Sequence, residues 1–229
     1  MKRYSKNMES LSLGEIKILN KSKVAIVGCG GLGGYIAECL CRIGIEYMTI
    51  IDGDIFDETN LNRQLISHAQ NIGLKKVKET QKRINLVNPQ VQVRALDTLL
   101  DKSNSRDILK GHHVVVDALD NIQTRKILQD TCRELDIPMV YGAIAGFYGQ
   151  VSTIFPGDNT LDFVYPKNTQ NLQGTEKELG NPSFIPPLIA SIQVAETIKI
   201  LINRGELLRN KILFVDLLQN SFDIIETTK

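Results

Sequence analysis

A doubly wound, mostly parallel α/β sheet, extended by antiparallel strands in its C-terminal part, is the fold class the sequence predicts, on three observations. Strand patterns recur at 23–27, 47–51, 91–96, 113–118 and 139–144, the first two being short apolar, β-branched runs typical of strands covered on both faces. Helical stretches separate them, and alternation of this kind builds a parallel sheet with helices on both faces. From residue 148 the alternation stops: strand patterns appear at 150–155, 211–217 and 221–226, with one long apolar helix at 186–203. The sum is a Rossmann-like sheet with an antiparallel extension.

Taken in order, residues 8–20 read as an amphipathic helix with apolar contacts from Leu11, Leu13, Ile16, Ile18 and Leu19. Lys23-Val24-Ala25-Ile26-Val27 is a buried strand, broken by the glycines of 28–34, and a helix follows over 35–43. Tyr47-Met48-Thr49-Ile50-Ile51 is a second buried strand ending on Asp52, which completes a strand–glycine loop–helix–strand unit. A basic amphipathic helix over 74–87 stops at Asn88-Pro89, because proline cannot continue it. Further helices are predicted at 104–110 and 121–135. The segment 156–183 is polar, rich in Asn, Gly and Pro, and long for a structureless connection. It reads as a functional lid or as an ordered surface excursion.

Lysine and arginine (27) nearly cancel aspartate and glutamate (26), so no global field favours nucleic acid or an acidic membrane surface. Met1-Lys2-Arg3-Tyr4-Ser5-Lys6 leads into polar sequence and not into a signal-peptide apolar run. No stretch approaches the roughly 20 apolar residues that span a bilayer. A soluble, cytoplasmic protein is expected, without nucleic-acid or membrane partners. Cys29, Cys39, Cys41 and Cys132 form no CxxC pair and have no histidines at ligand spacing; reduced, mostly buried thiols and no zinc site are expected. Cys29 lies inside the glycine loop, where filling space beneath the loop is preferred over acting as a reactive thiol.

The chemistry concentrates in three segments. Gly28-Cys29-Gly30-Gly31-Leu32-Gly33 follows a strand and opens a helix in the pattern G-x-G-x-x-G. Such a loop brings backbone N–H groups up to phosphates at the positive end of a helix dipole. Asp52, at the next strand end, is placed to accept hydrogen bonds from ribose hydroxyls. Gly53-Asp54 and Glu58-Thr59-Asn60-Leu61-Asn62-Arg63-Gln64 come next. A dehydrogenase has no evident need of that amide and guanidinium cluster, whereas a triphosphate site does: Arg63 offers bidentate contacts to phosphate oxygens and Asn60 positions them. Lys76 is a second cation or one more charge on a solvated face shared with Lys75, Lys78, Lys82 and Arg83. Asp117-Ala118-Leu119-Asp120-Asn121 lies where a strand ends and a helix begins. Asp120 either holds Mg²⁺ against phosphates or caps the helix, and position alone leaves both open.

Together these segments resemble the ThiF, MoeB and HesA family, bacterial relatives of ubiquitin-activating enzymes. The matching residues are Gly28-Cys-Gly-Gly-Leu-Gly33, Ile51-Asp-Gly-Asp54, Asn60-Leu-Asn-Arg-Gln64, Gly73-Leu-Lys-Lys-Val77, Asp117-Ala-Leu-Asp-Asn121, Gly149-Gln-Val151 and Gln193-Val-Ala-Glu-Thr-Ile-Lys199. The resemblance runs from about residue 14 to the C-terminus. It implies an adenylation domain over 1–229: a helical arm (1–22), a nucleotide-binding core (23–145), and a part for carrier binding and dimerisation (146–229). It implies that Gly28, Gly30, Gly31 and Gly33 cradle ATP, that Asp52 binds the ribose, and that Asn60, Arg63 and Lys76 contact the phosphates, with Asp54 and Gln64 as further cofactor-binding positions. Asp120 would coordinate Mg²⁺, with Asn121 beside the adenylate. Arg63, Lys76 and Asp120 are the implied catalytic residues. The implied reaction joins AMP to the C-terminal Gly-Gly carboxylate of a ubiquitin-like sulfur-carrier protein, with loss of pyrophosphate, for thiamine or molybdopterin synthesis. A homodimer is implied, with surplus apolar positions on 186–203 (Ile189, Ile192, Val194, Ile198) as a further hint.

Three departures stand out. The family's zinc-binding CxxC pairs are missing; 161–166 reads Leu-Asp-Phe-Val-Tyr-Pro, and packing by Phe163, Val164 and Tyr165 is expected in their place. Gly174-Thr-Glu-Lys-Glu-Leu-Gly180 lacks the cysteine that many relatives carry there. The N-terminal arginine that relatives send into the neighbouring subunit is replaced by Lys6 or served by Arg3. The rival readings are a relative that makes cyclic threonylcarbamoyl-adenosine on tRNA, a nicotinamide-dependent dehydrogenase, and a silent partner subunit.

Overall fold

The computed structural model describes residues 2–166 and 179–227. In chain order its elements are α1 (Leu13–Lys21), β1 (Lys23–Val27), α2 (Gly31–Ile43), β2 (Tyr47–Ile51), α3 (Lys76–Val87), β3 (Gln92–Leu96), α4 (Ser105–Leu109) and β4 (Val114–Asp117). There follow α5 (Ile122–Leu135), β5 (Met139–Ala145), β6 (Tyr148–Ile154), α6 (Thr160–Val164), α7 (Ile185–Ile202), β7 (Lys211–Asp216) and β8 (Ser221–Glu226). The strands form an eight-stranded sheet in the order β3-β2-β1-β4-β5-β6-β7-β8. Neighbours from β3 to β5 pair parallel, and those from β5 to β8 pair antiparallel. This is the fold class the strand–helix alternation predicts.

Alternating residues of β1, β2, β4 and β5 feed two cores, which is why these strands are mostly apolar, whereas β3 at the sheet edge carries Gln92 and Arg94. Ile26, Met48, Ile50, Val116 and Val140 pack under α1, α2, α3 and α7. Ala25, Val27, Val115, Met139 and Tyr141 face α4, α5 and α6. The sheet order reverses between β1 and β4, so helices leaving their carboxyl ends depart to opposite faces and leave a crevice there.

Several boundaries differ from the sequence pattern, each for a local reason. The first helix begins at Leu13 and not at residue 8, because Ser12 and Glu15 form a capping box: the Glu15 N–H donates to Ser12 Oγ at 3.2 Å, and the Ser12 N–H to the Glu15 carboxylate at 2.7 Å. Leu13 and Ile18 are then exposed, while Ile16 and Leu19 are buried. The second helix starts at Gly31 instead of residue 35, inside the glycine motif. The third starts at Lys76 and not at 74. Within 156–183 the chain forms α6, whose Leu161 is buried; residues 167–178, including most of the cysteine-free stretch from Gly174, lie outside the described residues.

The expectation that no stretch approaches a membrane span is corrected by α7. Its 18 residues have a mean hydropathy of 1.5, enough by length and composition to cross a bilayer. Its contacts are those of a core helix. It packs on α1, α2, β4, β5 and β6, and its polar side chains are engaged inside the fold. The Gln193 amide donates to the Asp117 carbonyl at 2.8 Å, and the Glu196 carboxylate accepts from Thr153 Oγ1 at 2.5 Å and from the Leu208 N–H at 2.8 Å. Of the positions read as a dimer hint, Ile189, Val194 and Ile198 are buried within the chain and Ile192 is half-buried, so most of that apolar surplus packs internally.

One clamp joins α2 to α3, the helices whose first turns reach the crevice. Arg83 donates twice to the Glu38 carboxylate, at 2.9 Å each, and Arg42 adds two more bonds from within α2. Burial alone would raise the Glu38 carboxyl, but the two arginines outweigh it and hold it below the usual range. A depressed carboxylate contributes stability above its ordinary pKa and loses it as pH falls through the folded value. Glu38→Gln is therefore expected to cost about 1–2 kcal/mol near neutral pH. In urea titrations that deficit should shrink as the pH is lowered through the glutamate range.

Candidate functional site

The crevice at the carboxyl ends of β1, β2 and β4 is an open cleft of about 850 Å³, including its solvent-facing part. Its floor is the glycine loop. Gly28 has φ +100°, and a Cβ there would lie 2.5 Å from the Ala118 carbonyl oxygen; a Cβ on Gly33 would lie 1.9 Å from the Gly28 carbonyl oxygen. Only glycine at both positions lets α2 start directly on the end of β1. Gly30 caps that helix without a side chain, so the N–H groups of its first turn meet no capping side chain. Gly28, Gly30 and Gly31 line the cleft.

Asp52 ties two loops together. Its Oδ2 accepts from the Cys29 N–H at 2.7 Å and its Oδ1 from the Asp54 N–H at 2.8 Å. Burial raises its carboxyl above the ordinary range, against the pull of those two bonds. Each oxygen keeps a further lone pair for a hydroxyl donor. Lys76 settles one of the open alternatives: it is buried, whereas Lys78 and Lys82 on the same helix are exposed. Its Nζ lies 3.0 Å from Asp54 Oδ2. Arg63 stands at the rim, with Nη1 donating at 2.9 Å both to the Thr59 carbonyl and to Asn62 Oδ1. Gln64 is buried beside Gly30, and its Oε1 has no hydrogen-bond partner among the described residues.

For Asp120 the helix-cap alternative is not the one observed. The cap of α5 is Asn121, whose Oδ1 accepts from the Thr124 N–H at 3.0 Å. Asp120 is exposed, lines the cleft, and makes no hydrogen bond or ion pair among the described residues.

The cleft thus gathers Gly28, Gly30, Gly31, Asp52, Asp54, Arg63, Gln64, Lys76 and Asp120. Four candidates stand apart from its lining. Gly33 supports the loop from below. Asn60 is buried and closes its own turn, accepting from the Asp57 N–H at 3.2 Å. Asn121 is occupied as the helix cap. Lys6 lies on a 3₁₀ turn, Lys2–Asn7, docked where α2 and α3 end. There Tyr4 Oη accepts from Asn88 Nδ2 at 2.9 Å, at the opposite end of the sheet from the cleft of its own chain.

Cys29 is 1% exposed, and burial next to Asp52 pushes its thiol far up, so it fills space. Cys41 and Cys132 are likewise pushed up to about 12 by burial. The cleft also has walls that motif spacing does not reveal. Thr98, Leu99 and Leu100 follow β3, and Ile144, Asn181 and Arg125 come from distant segments. The position of 98–100 just past a parallel strand is a usable signal; the others carry none.

A nucleotide-binding type of α/β architecture is what this sheet and loop define. Among solved structures the chain is similar to E. coli MccB with ATP, with a TM-score of 0.84 over 99% of this chain and 71% of that one at 19% identity. It is also similar to E. coli tRNA N6-threonylcarbamoyladenosine dehydratase, with a TM-score of 0.75, 23% identity, and 88% and 95% coverage. At those identities the likeness is one of fold. A model of the ThiF family matches residues 4–229, and the chain belongs to that family. It is 33% identical over 210 residues to the SAMP-activating enzyme E1 of Haloferax volcanii, covering 90% of this chain and 77% of that protein. It is 31% identical over 211 residues to the sulfur carrier protein adenylyltransferase of Thermus thermophilus, covering 89% and 78%. A probable molybdopterin-synthase adenylyltransferase of Porphyra purpurea is 33% identical over 231 residues; there the chain spans 97% of itself and only 60% of the relative.

The glycine geometry makes a sharp contrast testable. Gly33→Ala forces a methyl group into a carbonyl oxygen and is expected to cost about 3 kcal/mol or more. Gly31→Ala meets only side chains, Ile144 and Pro186, at 3.9 Å. Denaturation curves should show the first variant severely destabilised and the second near wild type.

Proposed function

We propose that this chain is an adenylyltransferase that uses ATP to activate the C-terminal carboxylate of a sulfur-carrier protein. One observation carries the reading: a phosphate-type glycine loop, a ribose-type carboxylate and two cations meet a partner-free aspartate in one cleft of a ThiF-family chain. The names of the relatives in Thermus and Porphyra supply the substrate class. The family match speaks against a nicotinamide dehydrogenase.

On this reading the first turn of α2 binds phosphate oxygens, and Asp52 accepts from the ribose. Attack of a carboxylate at the α-phosphorus brings negative charges together, and Lys76 and Arg63 offset them as pyrophosphate leaves. Lys76 exchanges its Asp54 contact for phosphate, and Arg63 has guanidinium donors beyond the Nη1 that it spends on its own turn. No general base is required, since the nucleophile is already ionised near neutral pH. The free carboxylate of Asp120 suits a hard dication, and Mg²⁺, when bound, would supply charge neutralisation at the phosphates. The finer reading is a carrier ending in Gly-Gly, serving thiamine or molybdopterin synthesis in the cytoplasm.

ATP–pyrophosphate exchange with Mg²⁺ and small Gly-Gly-ending carriers tests this directly. Arg63→Ala is expected to slow exchange by about 10² to 10³. Asp120→Asn should slow it severely, and a rate within about threefold of wild type would return Asp120 to a structural role. Asp52→Asn should weaken ATP binding more than turnover, since ribose contacts are alike in ground and transition states. Because burial raises the Asp52 carboxyl, ATP binding should weaken as pH falls through that raised value, and Asp52→Asn should lose this dependence. Exchange absent with every carrier, together with tight NAD binding, would overturn the reading.

The reading extends to a two-fold homodimer. Leu218, Phe222, Ile224 and Ile225 are exposed at the β8 edge, and such an edge is a liability when left bare. Sedimentation at micromolar concentration should give a dimer; a monomer would count against it.

A further inference from the structure

Asp120 has no hydrogen-bond or ion-pair partner among the described residues, yet the chain on either side of it is pinned. On one side the Leu119 N–H donates to Asp117 Oδ1 at 2.9 Å, and the Leu119 carbonyl accepts from Arg125 Nη2. On the other side Asn121 is the cap of α5. Arg125 is the bulkiest fully buried side chain, 2% exposed. Its Nε lies 3.6 Å from the buried Asp117 carboxylate, its guanidinium carbon lies 5.1 Å from the Tyr141 ring centroid, and its Nη1 donates to Tyr165 Oη at 2.9 Å.

Burying a guanidinium is costly, and an apolar side chain would often serve a core as well. Here the charge is spent on the backbone carbonyl next to Asp120. The hydroxyls continue the chain in one direction. Tyr141 Oη donates to Gln150 Oε1 at 3.3 Å, which leaves its oxygen to accept from Tyr165 Oη at 2.9 Å. Tyr165 closes α6, so the docking of that short helix and the hold on the Asp120 turn share one hydroxyl.

We propose that Arg125 and Tyr165 are positioning residues for Asp120, with Tyr165 fixing the guanidinium that holds the Leu119 carbonyl. The inference rests on the adenylation reading above and deepens it. Tyr165→Phe keeps the ring and removes only the hydroxyl. Arg125→Lys keeps the charge but cannot reach Leu119 and Tyr165 together.

Calorimetric binding of a non-hydrolysable ATP analogue, with Mg²⁺ and again with EDTA, tests it alongside pyrophosphate exchange. Tyr165→Phe should reduce the strengthening of binding by Mg²⁺ about tenfold and leave the EDTA affinity unchanged. Exchange should fall in parallel. Placed on Asp120→Asn, Tyr165→Phe should have no further effect on either readout, because the group it positions is gone. Equal weakening in EDTA, or full additivity on Asp120→Asn, would make the network mere packing and overturn the proposal. Should Arg125→Lys fail to fold, Tyr165→Phe still decides. Wild-type protein with neither exchange nor Mg²⁺-dependent binding would sink the adenylation reading and this inference with it. Normal wild-type behaviour with an unaffected Tyr165→Phe would sink the positioning role alone.

Discussion

The close approach of Gly33 to the Gly28 carbonyl, with Ala118 packed against both, is the contact on which the site depends. It sets the first turn of α2 directly on the end of β1. Only then do the Cys29 N–H and the Asp52 carboxylate meet at 2.7 Å, which joins the glycine loop to the end of β2. Any larger residue at Gly33 would lift the helix and open the floor of the cleft. Because β1 and β4 are neighbours whose following helices go to opposite faces, the same contact faces Ala118 and the turn that carries Asp120.

Charge is arranged around that floor with its counter-charges already in place. Lys76 is buried against Asp54, and Asp52 is held by two backbone donors. A buried cation without a partner would be strongly disfavoured, so the aspartate stabilises the cleft before a ligand replaces it. On the adenylation reading, groups already held near their working positions would need little reorganisation to meet phosphate, which is the condition for electrostatic help in a reaction. Asp120 is the exception: it is exposed, and the residues on either side of it are the ones held by hydrogen bonds.

The polar interior of α7 belongs to the same design. β4 and β5 pair only at Val115↔Met139 and Val116↔Val140. Beyond that point the Gln193 amide donates to the carbonyls of Asp117 and Val140, at 2.8 and 3.4 Å. An apolar residue there would leave backbone groups next to the cleft unsatisfied. These bonds tie a helix of membrane-like composition into the core of the sheet.

Periodicity and local chemistry were enough for the sheet. Every predicted strand exists, since buried β-branched runs have few other stable uses, and the glycine loop, Asp52 and Arg63 stand at the cleft as their order along the chain implied. Local signals failed where one residue type serves two tasks. Lys76 and its helix neighbours look alike in sequence, and only packing buries one of them. Asp120 and Asn121 are both good helix caps, and the start of α5 gives that task to Asn121. Asn60 matched the motif but closes its own turn. Lys6 lies far from the cleft of its own chain, as a residue expected to serve a neighbouring subunit would. Arg125 had no signal and Tyr165 was marked only for packing, because their partners lie on elements joined only when β4, α5 and α6 pack together. Sequence determined which groups are present and in what order; the packing of distant segments decided which of them are free, paired or buried, because desolvation and hydrogen-bond satisfaction are properties of the assembled fold.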